Sequence, residues 1–337
     1  MKRKLAFVAM AAALPLYGHA QTNVTFFGIV DAGVKITDYD RGAAGRLTAV
    51  QSGHRNANRW GFRGAEDLGG GLSAIFRLEQ GFDIDTGVLA QGGRTFGRHA
   101  YVGLEGSFGT LALGRVSNFD GGSFDMFGPI DPFEAGFGVA SLASTVSGSG
   151  GLRVDNAVLY RSPKLGGFQG GWIHSFNTNG PENVGGVSAN TRYDNVGASF
   201  GAGQFYGAVT YSVARFPDAG DFGDQKMLHV GATYDLKTVK LHGAVGREKG
   251  VRSTLVSAIG KSAEGTDATT WMLGASAPVG ESGQLLVSYQ RRDGKSQTIG
   301  ADSFNADRAV FGLGYLYSFS RRSSLYASFA TTKGFNT

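Results

Sequence analysis

The sequence has no cysteine and only 7 prolines among 337 residues. Without cysteine there can be no disulfide framework and no cysteine nucleophile. After the first twenty residues no apolar run reaches the roughly 20 residues that a membrane-spanning helix needs. The mean hydropathy is −0.10. These absences argue against an α-helical membrane protein and against a small disulfide-stapled domain.

A strong charge of one sign is also missing. The formal net charge is +5, but residues 2–4 are all basic and belong to the segment described next. Without them, 29 of the 32 basic residues remain against 27 acidic ones. The isoelectric point of about 9.3 therefore overstates the basicity of the rest of the chain, and nothing indicates nucleic-acid binding.

Residues 1–20 predict a secretory signal peptide. A basic start precedes a short apolar stretch, and residues 18–20 read Gly-His-Ala, a small-x-small cleavage site. Cleavage between Ala20 and Gln21 would leave residues 21–337 as a single exported unit.

Glycine and aromatic residues are abundant, with 55 Gly, 24 Phe and 12 Tyr. This composition favours many strands joined by turns over helices. Residues 23–37 show the pattern directly: Val24, Phe26 and Val34 would lie on one face of a strand. Thr25 and Asp31 would lie on the other. Alternation with one apolar face predicts a β-strand.

The same strand pattern recurs to the end of the chain, and the connections sort by length. Short turns are expected near residues 66–71, 107–109, 164–167, 201–203, 236–238, 278–283 and 318–323. Longer, mostly polar stretches are expected at 38–57, 83–97, 118–152, 178–191, 216–225, 250–267 and 293–307. Short connections at one end and long ones at the other are typical of outer-membrane β-barrels. A soluble β-sandwich is the alternative, with its apolar face turned inward.

The stretch 118–152 differs from the other long connections. It is aperiodic, and connections of this length are usually functional or disordered. Its first half carries several aromatic residues, Phe119, Phe124, Phe127, Phe133 and Phe137. Its charged residues are all acidic, Asp120, Asp125, Asp131 and Glu134. An aromatic, acidic loop between flanking arginines would suit a plug folded into a pore; an ordinary solvated surface loop is the alternative.

Four motifs carry a family resemblance: VTFFGIVDAGV, NRWGFRGAEDLGGGL, AYVGLEGSFGTLALGR and NAVLYRSPKLGGF. They resemble the general porins of Gram-negative bacteria, of the β-proteobacterial type, from about Val24 to the end of the chain. The resemblance implies an all-β, transmembrane antiparallel barrel of 16 strands in the outer membrane, surrounded by lipid and assembled as a homotrimer. It also implies that 118–152 is a third loop that constricts the pore.

The resemblance further implies a set of site residues. The basic wall of the constriction would comprise Arg59, Arg115 and Arg153. The acidic side, on the loop, would comprise Asp125, Asp131 and Glu134. Alternation places Arg59 opposite to Trp60, in the lumen. Arg115 shares its parity with two leucines, and either a β-bulge near Gly114 or the end of the strand could turn it toward the lumen.

One departure concerns the end of the chain. Fifteen strand segments can be counted, and the sequence stops at TTKGFNT. Members of the family usually continue through another loop and a final strand ending in an aromatic residue. The expectation is therefore that the last strand is missing from this chain.

No catalytic constellation stands out. The histidines are scattered without zinc-site spacing, there is no GxSxG or phosphate-binding loop, and the acidic loop lacks the spacing of a calcium site. The sequence therefore predicts a porin without cofactor or metal. It would pass ions and small hydrophilic solutes by diffusion, with weak anion selectivity. The alternatives are an outer-membrane barrel enzyme, such as a lipase or protease, and a non-conducting structural or adhesive barrel.

Overall fold

The structure is a computed structural model that describes residues 23–39, 45–146, 152–181, 190–217, 223–252, 265–298, 301–305 and 307–334. The expected signal peptide and its cleavage site, Ala20 and Gln21, lie outside the described residues. The eighteen strands are β1 Asn23–Ile29, β2 Ala32–Asp38, β3 Arg46–Ser52, β4 Arg59–Gly69, β5 Leu72–Gly81, β6 His99–Gly106, β7 Gly109–Ser117, β8 Arg153–Arg161, β9 Phe168–Ser175, β10 Arg192–Ala202, β11 Phe205–Arg215, β12 Gln225–Asp235, β13 Lys240–Lys249, β14 Gly265–Val279, β15 Gly283–Thr298, β16 Ala301–Asn305, β17 Arg308–Ser318 and β18 Ser324–Gly334.

Fifteen of these strands form one continuous antiparallel sheet. The order is β1, β4 through β15, β17 and β18, each paired with the next in this order, and β16 joins the same sheet by pairing with β15. The described residues also include a short turn at Ala90–Gly93 and 3₁₀ turns at Gly128–Ile130, Gly138–Ala140 and Leu142–Ser144. Within the described residues no helix is long and apolar enough to cross a membrane. The predicted all-β antiparallel architecture is confirmed.

Two expected loops contain strands. The sequence predicts a polar loop over 38–57, but β3 pairs with β2 as a separate two-stranded sheet. Strand 23–37 is correspondingly split at Val30 and Asp31. The stretch 293–307 is also predicted to be a loop, but β15 runs into it and pairs with β16. In both places the hairpin extends beyond the main sheet, so a stretch that is mostly polar in sequence still pairs as strands.

The two faces of the sheet have reversed polarity compared with a soluble protein. On β11, Val209 and Tyr211 are 39% and 42% exposed, whereas Thr210 and Ser212 are 1% and 2% exposed. The same alternation runs round the sheet, with apolar side chains outside and polar ones inside. Because a soluble sandwich would bury its apolar face, this arrangement supports a barrel surrounded by lipid.

The connections sort by length as predicted. Two-residue links join β4 to β5, β6 to β7 and β10 to β11. At the other end, the connection after β7 covers 35 positions, residues 118–152, before β8 begins. Tight links suit the periplasmic end of such barrels and long ones the outer end.

The two ends of the sheet meet through side chains. Within the described residues, β1 pairs only with β4 and β18 only with β17. The Tyr326 hydroxyl on β18 donates to Asp31 Oδ1 at 2.5 Å. His54 Nε2 and Ser328 Oγ are 2.9 Å apart, and Arg55 Nη1 donates to Ser324 Oγ at 3.4 Å. The sheet therefore curves round until its last strand contacts the residues that follow its first.

Candidate functional site

The connection between β7 and β8 lies against the polar face of the sheet and forms the hydrophobic core of the molecule. Three clusters seat it on successive strands. The first joins Phe119, Phe124 and Met126 to β7–β11, and the second joins Phe127, Ile130 and Leu142 to β11, β13 and β14. The third joins Phe133, Phe137 and Ala140 to Leu286, Tyr326 and Ala330. The loop therefore crosses the interior from β7 to β18.

Glycines on the wall strands make room for this loop. A Cβ on Gly231 would lie 2.7 Å from Ile130 Cγ2, and one on Gly314 would lie 2.8 Å from Phe133 Cε1. Such distances are closer than real side-chain contacts allow. The same holds for the other wall glycines that face the loop, Gly171, Gly197, Gly274 and Gly312. On β9, β10, β12, β14 and β17 the backbone of the wall therefore lies directly against the side chains of the loop.

Hydrogen bonds fix the far end of the loop to the last strands. The Ala140 carbonyl accepts from Gln290 Nε2 at 2.7 Å. The Ser144 carbonyl accepts from Arg308 Nη1 at 3.0 Å. The buried Thr145 hydroxyl donates to Gln290 Oε1 at 2.8 Å. Buried loop carbonyls are therefore paired with wall side chains, as burial of backbone polar groups requires.

A buried ionic chain links the two ends of the loop. Asp120, at the start, accepts from Thr210 and lies 2.9 Å from His229 Nδ1. His229 Nε2 lies 3.8 Å from Glu248, which accepts from Arg292 Nη1 at 2.5 Å. Arg292 also donates to the Thr145 carbonyl at 2.9 Å, near the end of the loop. Each charge is buried with a partner, the arrangement in which buried charges are tolerated.

The basic wall lies beside the loop, on β4, β5, β7 and β8 and in the stretch that precedes β6. Glu79 on β5 is 1% exposed and binds three arginines. Arg98 Nε and Arg77 Nε donate to it at 2.6 and 2.7 Å, and Arg59 Nε is 3.9 Å away. Arg153 interacts electrostatically with Arg59, Arg98 and Glu79. Repulsion among these cations is offset only partly by the single carboxylate at their centre.

Arg115 is held by a β-bulge. The register of β7 against β8 shifts between Gly114 and Val116, so that Asp155 and Asn156 together face Arg115. Asn156 has φ of 48° and Gly114 has φ of 134°. Arg115 Nη1 pairs with Asp155, and its Nε donates to the Gly97 carbonyl at 2.7 Å. The irregularity expected near Gly114 is present, with its extra residue on β8.

Two of the three expected acidic residues are bound by the loop's own backbone. Asp125 Oδ1 accepts from the N–H groups of Phe127 and Gly128 at 2.9 and 2.6 Å. Asp131 is 3% exposed and accepts from Phe133, Ala135 and Leu142 at 2.9, 3.0 and 2.9 Å. Burial raises the pKa of each carboxyl to about 6, although the backbone N–H groups oppose that shift. Within the described residues neither carboxylate forms an ion pair.

Glu134 is the exposed acidic residue of the loop. Its side chain is 76% exposed, and Oε2 lies 3.7 Å from Arg55 Nη2. Glu134 has φ of 51° and the next residue, Ala135, has φ of 58°. A non-glycine residue in this region is uncommon, and such strain is often found at functional sites. The turn directs Glu134 away from the core of the loop and toward Arg55.

The structure brings Arg59, Arg115 and Arg153 into one region with further arginines that sequence reasoning missed. These are Arg55, Arg77, Arg94 and Arg98, and the missed acidic partners are Glu79 and Asp155. Alternation could have found Arg77 and Glu79, which share the inward parity of β5. Arg94 and Arg98 lie in an irregular stretch without such a signal. The seven arginines lie near four carboxylates, those of Asp31, Glu79, Glu134 and Asp155, so the local charge is basic.

Such a site can act on solutes by charge and size. Within the described residues no three histidine or acidic side chains are arranged to hold a metal ion. A lipid-facing barrel with a polar interior, a loop packed inside it and a basic inner wall defines the class of porin-type outer-membrane channels.

The chain belongs to the Gram-negative porin family, whose model matches residues 6–337. It is 34% identical to an outer membrane porin protein of Bordetella pertussis, over 99% of this chain and 95% of that protein. It is 31% identical to the outer membrane porin protein 32 of Delftia acidovorans, over 99% and 90%. The resemblance to β-proteobacterial porins is confirmed.

Solved structures agree with this assignment. An anion-selective porin from Comamonas acidovorans superposes with a TM-score of 0.73 and 27% identity, covering 93% of this chain and 89% of that one. OmpF of Salmonella typhi, solved with daunomycin, gives a TM-score of 0.67 at 18% identity over 92% and 90%, a likeness of fold. The protein is an outer-membrane channel for passive diffusion of small solutes and ions, and not an enzyme.

Proposed function

We propose that the loop 118–152 constricts the channel and that the arginines opposite it make the channel weakly anion-selective. The observation that carries the proposal is the charge imbalance at the site. Seven arginines lie near four carboxylates, with Asp31 beside Arg55 as the fourth, while Asp125 and Asp131 are engaged by backbone N–H groups. Arginine stays protonated at every physiological pH, so the excess positive charge is permanent.

Arg59, Arg115 and Arg153 belong to this basic wall in the proposal, together with Arg77 and Arg98. On the loop, Glu134 is the acidic residue that acts on passing ions. Asp125 and Asp131 act indirectly, by holding the loop turns in shape. The porin of Comamonas acidovorans, a structural relative of this chain, is anion-selective, and this supports the same sign here.

A reversal-potential measurement tests the sign. The full-length protein is reconstituted into planar bilayers with a KCl gradient, and the potential at zero current is read first at low and then at high salt. The proposal expects a modest preference for chloride at about 0.1 M that declines at 1 M, because the Debye length falls from about 10 Å to 3 Å. A preference for potassium would refute it.

The constriction itself is tested by the size limit for neutral polymers in the lumen. Phe133 is fully buried between the loop and the wall, so Phe133→Ala should loosen the loop and admit larger polyethylene glycols. Phe319→Ala, at an exposed turn, serves as the control. An unchanged size limit in both variants would place the narrowest section elsewhere.

We also propose that the channel assembles as a homotrimer, as the resemblance implies. The outer face of the first strands is strongly apolar, with Phe26 63% and Val34 73% exposed. A neighbouring subunit could bury this apolar surface in place of lipid. Crosslinking in native membranes tests the state: bands at two and three times the monomer mass support it, and a monomer alone overturns it.

A further inference from the structure

The outer surface of the barrel carries like charges side by side at the end where the long connections lie. In the register of β12 and β13, Lys226 lies directly opposite Lys249. On the adjoining hairpin of β10 and β11, Arg192 lies directly opposite Arg215. All four side chains are exposed. Like charges directly opposite each other on neighbouring strands are destabilising, so their placement calls for an anion.

Two carboxylates near these residues already have partners, and one of them neutralises Arg215 itself. Asp194 pairs with Arg215 at 2.5 Å and with His174. Asp267 Oδ1 accepts the Gly250 N–H at 2.7 Å. Within the described part of the chain, neither Lys226 nor Lys249 has an ion-pair partner. The positive charge is therefore concentrated on β12 and β13.

Arg247 extends this patch toward the membrane. It lies on the exposed face of β13 between Lys249 and Val245, and Nη1 donates to Thr269 Oγ1 at 2.7 Å. On β12 the exposed residues after Lys226 are Leu228 and Val230. The surface thus changes from basic to apolar over about two residues on each strand, or roughly 7 Å.

An apolar groove lies directly below the basic patch. Its volume is about 620 Å³, and it runs over the outer face of β9–β14. Side by side at its floor are Gly207, Ala232 and Gly243, which are paired in register on β11, β12 and β13. Phe205 and Leu273 form its two sides. Val230 and Val245, four residues from the two lysines, close its upper end.

We propose that this surface binds an anionic, phosphate-bearing lipid, with a phosphate between Lys226 and Lys249 and an acyl chain in the groove below. Basic side chains just beyond an apolar band attract anionic lipid head groups. Phosphate between the lysines offsets their repulsion, and Arg247 offers a further donor. The groove supplies a seat for the chain at a depth of about 13 Å along the strand, the span of four residues.

Trp271 lies in the groove wall and reports its occupant. The experiment uses Trp60→Phe/Trp172→Phe protein, in which Trp271 is the remaining tryptophan, in phosphatidylcholine vesicles. In one set of vesicles a fifth of the lipid is acyl-chain-brominated phosphatidic acid, and in the other a fifth is acyl-chain-brominated phosphatidylcholine. The quenching of Trp271 fluorescence is compared between the two sets. The proposal expects stronger quenching by the phosphatidic acid. Each lysine contributes about a fivefold enrichment, from ~1 kcal/mol for a basic residue at a membrane surface.

Lys226→Gln/Lys249→Gln should abolish the preference. Lys164→Gln/Lys237→Gln, which removes the same charge at the short-turn end, should retain it. Equal quenching by the two brominated lipids in the parent, or a preference that survives the first pair, overturns the proposal. Loss of the preference on adding millimolar inorganic phosphate would assign the site to the free ion and also overturn it. Should the single-tryptophan protein fail to fold, the difference between the parent and Trp271→Phe gives the same reading.

Discussion

Arg59→Gln offers a direct measurement of how one charge of the basic wall acts on a passing ion. Arg59 is the most loosely bound of the three arginines around Glu79, at 3.9 Å with a side chain 22% exposed. Glu79 keeps its bonds to Arg77 and Arg98 after the substitution. The local structure should therefore persist while one positive charge is lost from the lumen.

The size of the effect follows from Coulomb's law. An ion passing about 8 Å from Arg59 in water gains or loses roughly 0.5 kcal/mol. Screening at 0.15 M, where the Debye length is also about 8 Å, reduces this to about 0.2 kcal/mol. Because chloride and potassium respond with opposite sign, their permeability ratio should change by about twofold with full screening. Without screening in the narrow lumen, the change should be about sixfold.

The assay is the reversal potential across a planar bilayer in a KCl gradient. Arg59→Gln should move it toward cation permeation by the equivalent of a two- to sixfold change in permeability ratio, and by about 1.1-fold at 1 M salt. Arg291→Gln is the matched control, since Arg291 is half-exposed on the outer face beside Asp293. An unchanged potential in Arg59→Gln, or an equal shift in the control, would refute the reasoning.

Three further outcomes are expected. At pH 7, Glu134→Gln should shift the reversal potential toward anions, whereas Asp125→Asn should shift it less, since that carboxylate is tied to backbone N–H groups; equal shifts would contradict this. Burial raises the pKa of Asp131 to about 6, so the folded state binds its proton more tightly. The contribution of the protonated Asp131 carboxyl to the stability of the folded state is full below about pH 4 and is lost as pH rises through about 6. Open-channel noise should therefore grow between about pH 4 and 6, and it should grow less in Asp131→Asn. Gly231→Val should push Ile130 off the wall, because the new Cβ lies 2.7 Å from it, and should widen the pore to neutral polymers. Gly170→Val, whose Cβ meets nothing closer than 3.9 Å, should not; similar size limits would show that the loop is not seated there.

Alternation alone is sufficient to predict the main sheet, because a strand between lipid and a polar lumen must alternate at every residue. Val24 and Phe26 are exposed and Asp31 is buried, as expected from the first strand. Strand β3, which pairs with β2, escapes prediction for the same reason. It extends beyond the main sheet, where neither face is forced to be apolar, and its polar residues resemble a loop.

The site is less accessible to sequence reasoning. The parity argument for Arg59 and the bulge at Gly114 can be made from local patterns, since both depend on neighbours along one strand. The roles of Asp125 and Asp131 depend on turns with no periodic signal, and acidic residue type alone does not distinguish a lumen charge from a backbone acceptor. Arg98 likewise reaches Glu79 from an irregular stretch 19 residues away.

The attachment of the loop to the last strands determines when the channel can acquire its final shape. Ala140 and Ser144 are bonded to Gln290 and Arg308, residues 150 and 164 positions further along the chain. Contacts so distant in sequence form late, because the chain loses the entropy of closing a long segment before the contacts can stabilise it. During folding, the wall from β7 to β14 can assemble while the far half of the loop still lacks partners. The loop is therefore among the last parts of the molecule to become ordered, and under the proposed constriction an incompletely folded barrel would be leakier than the finished one.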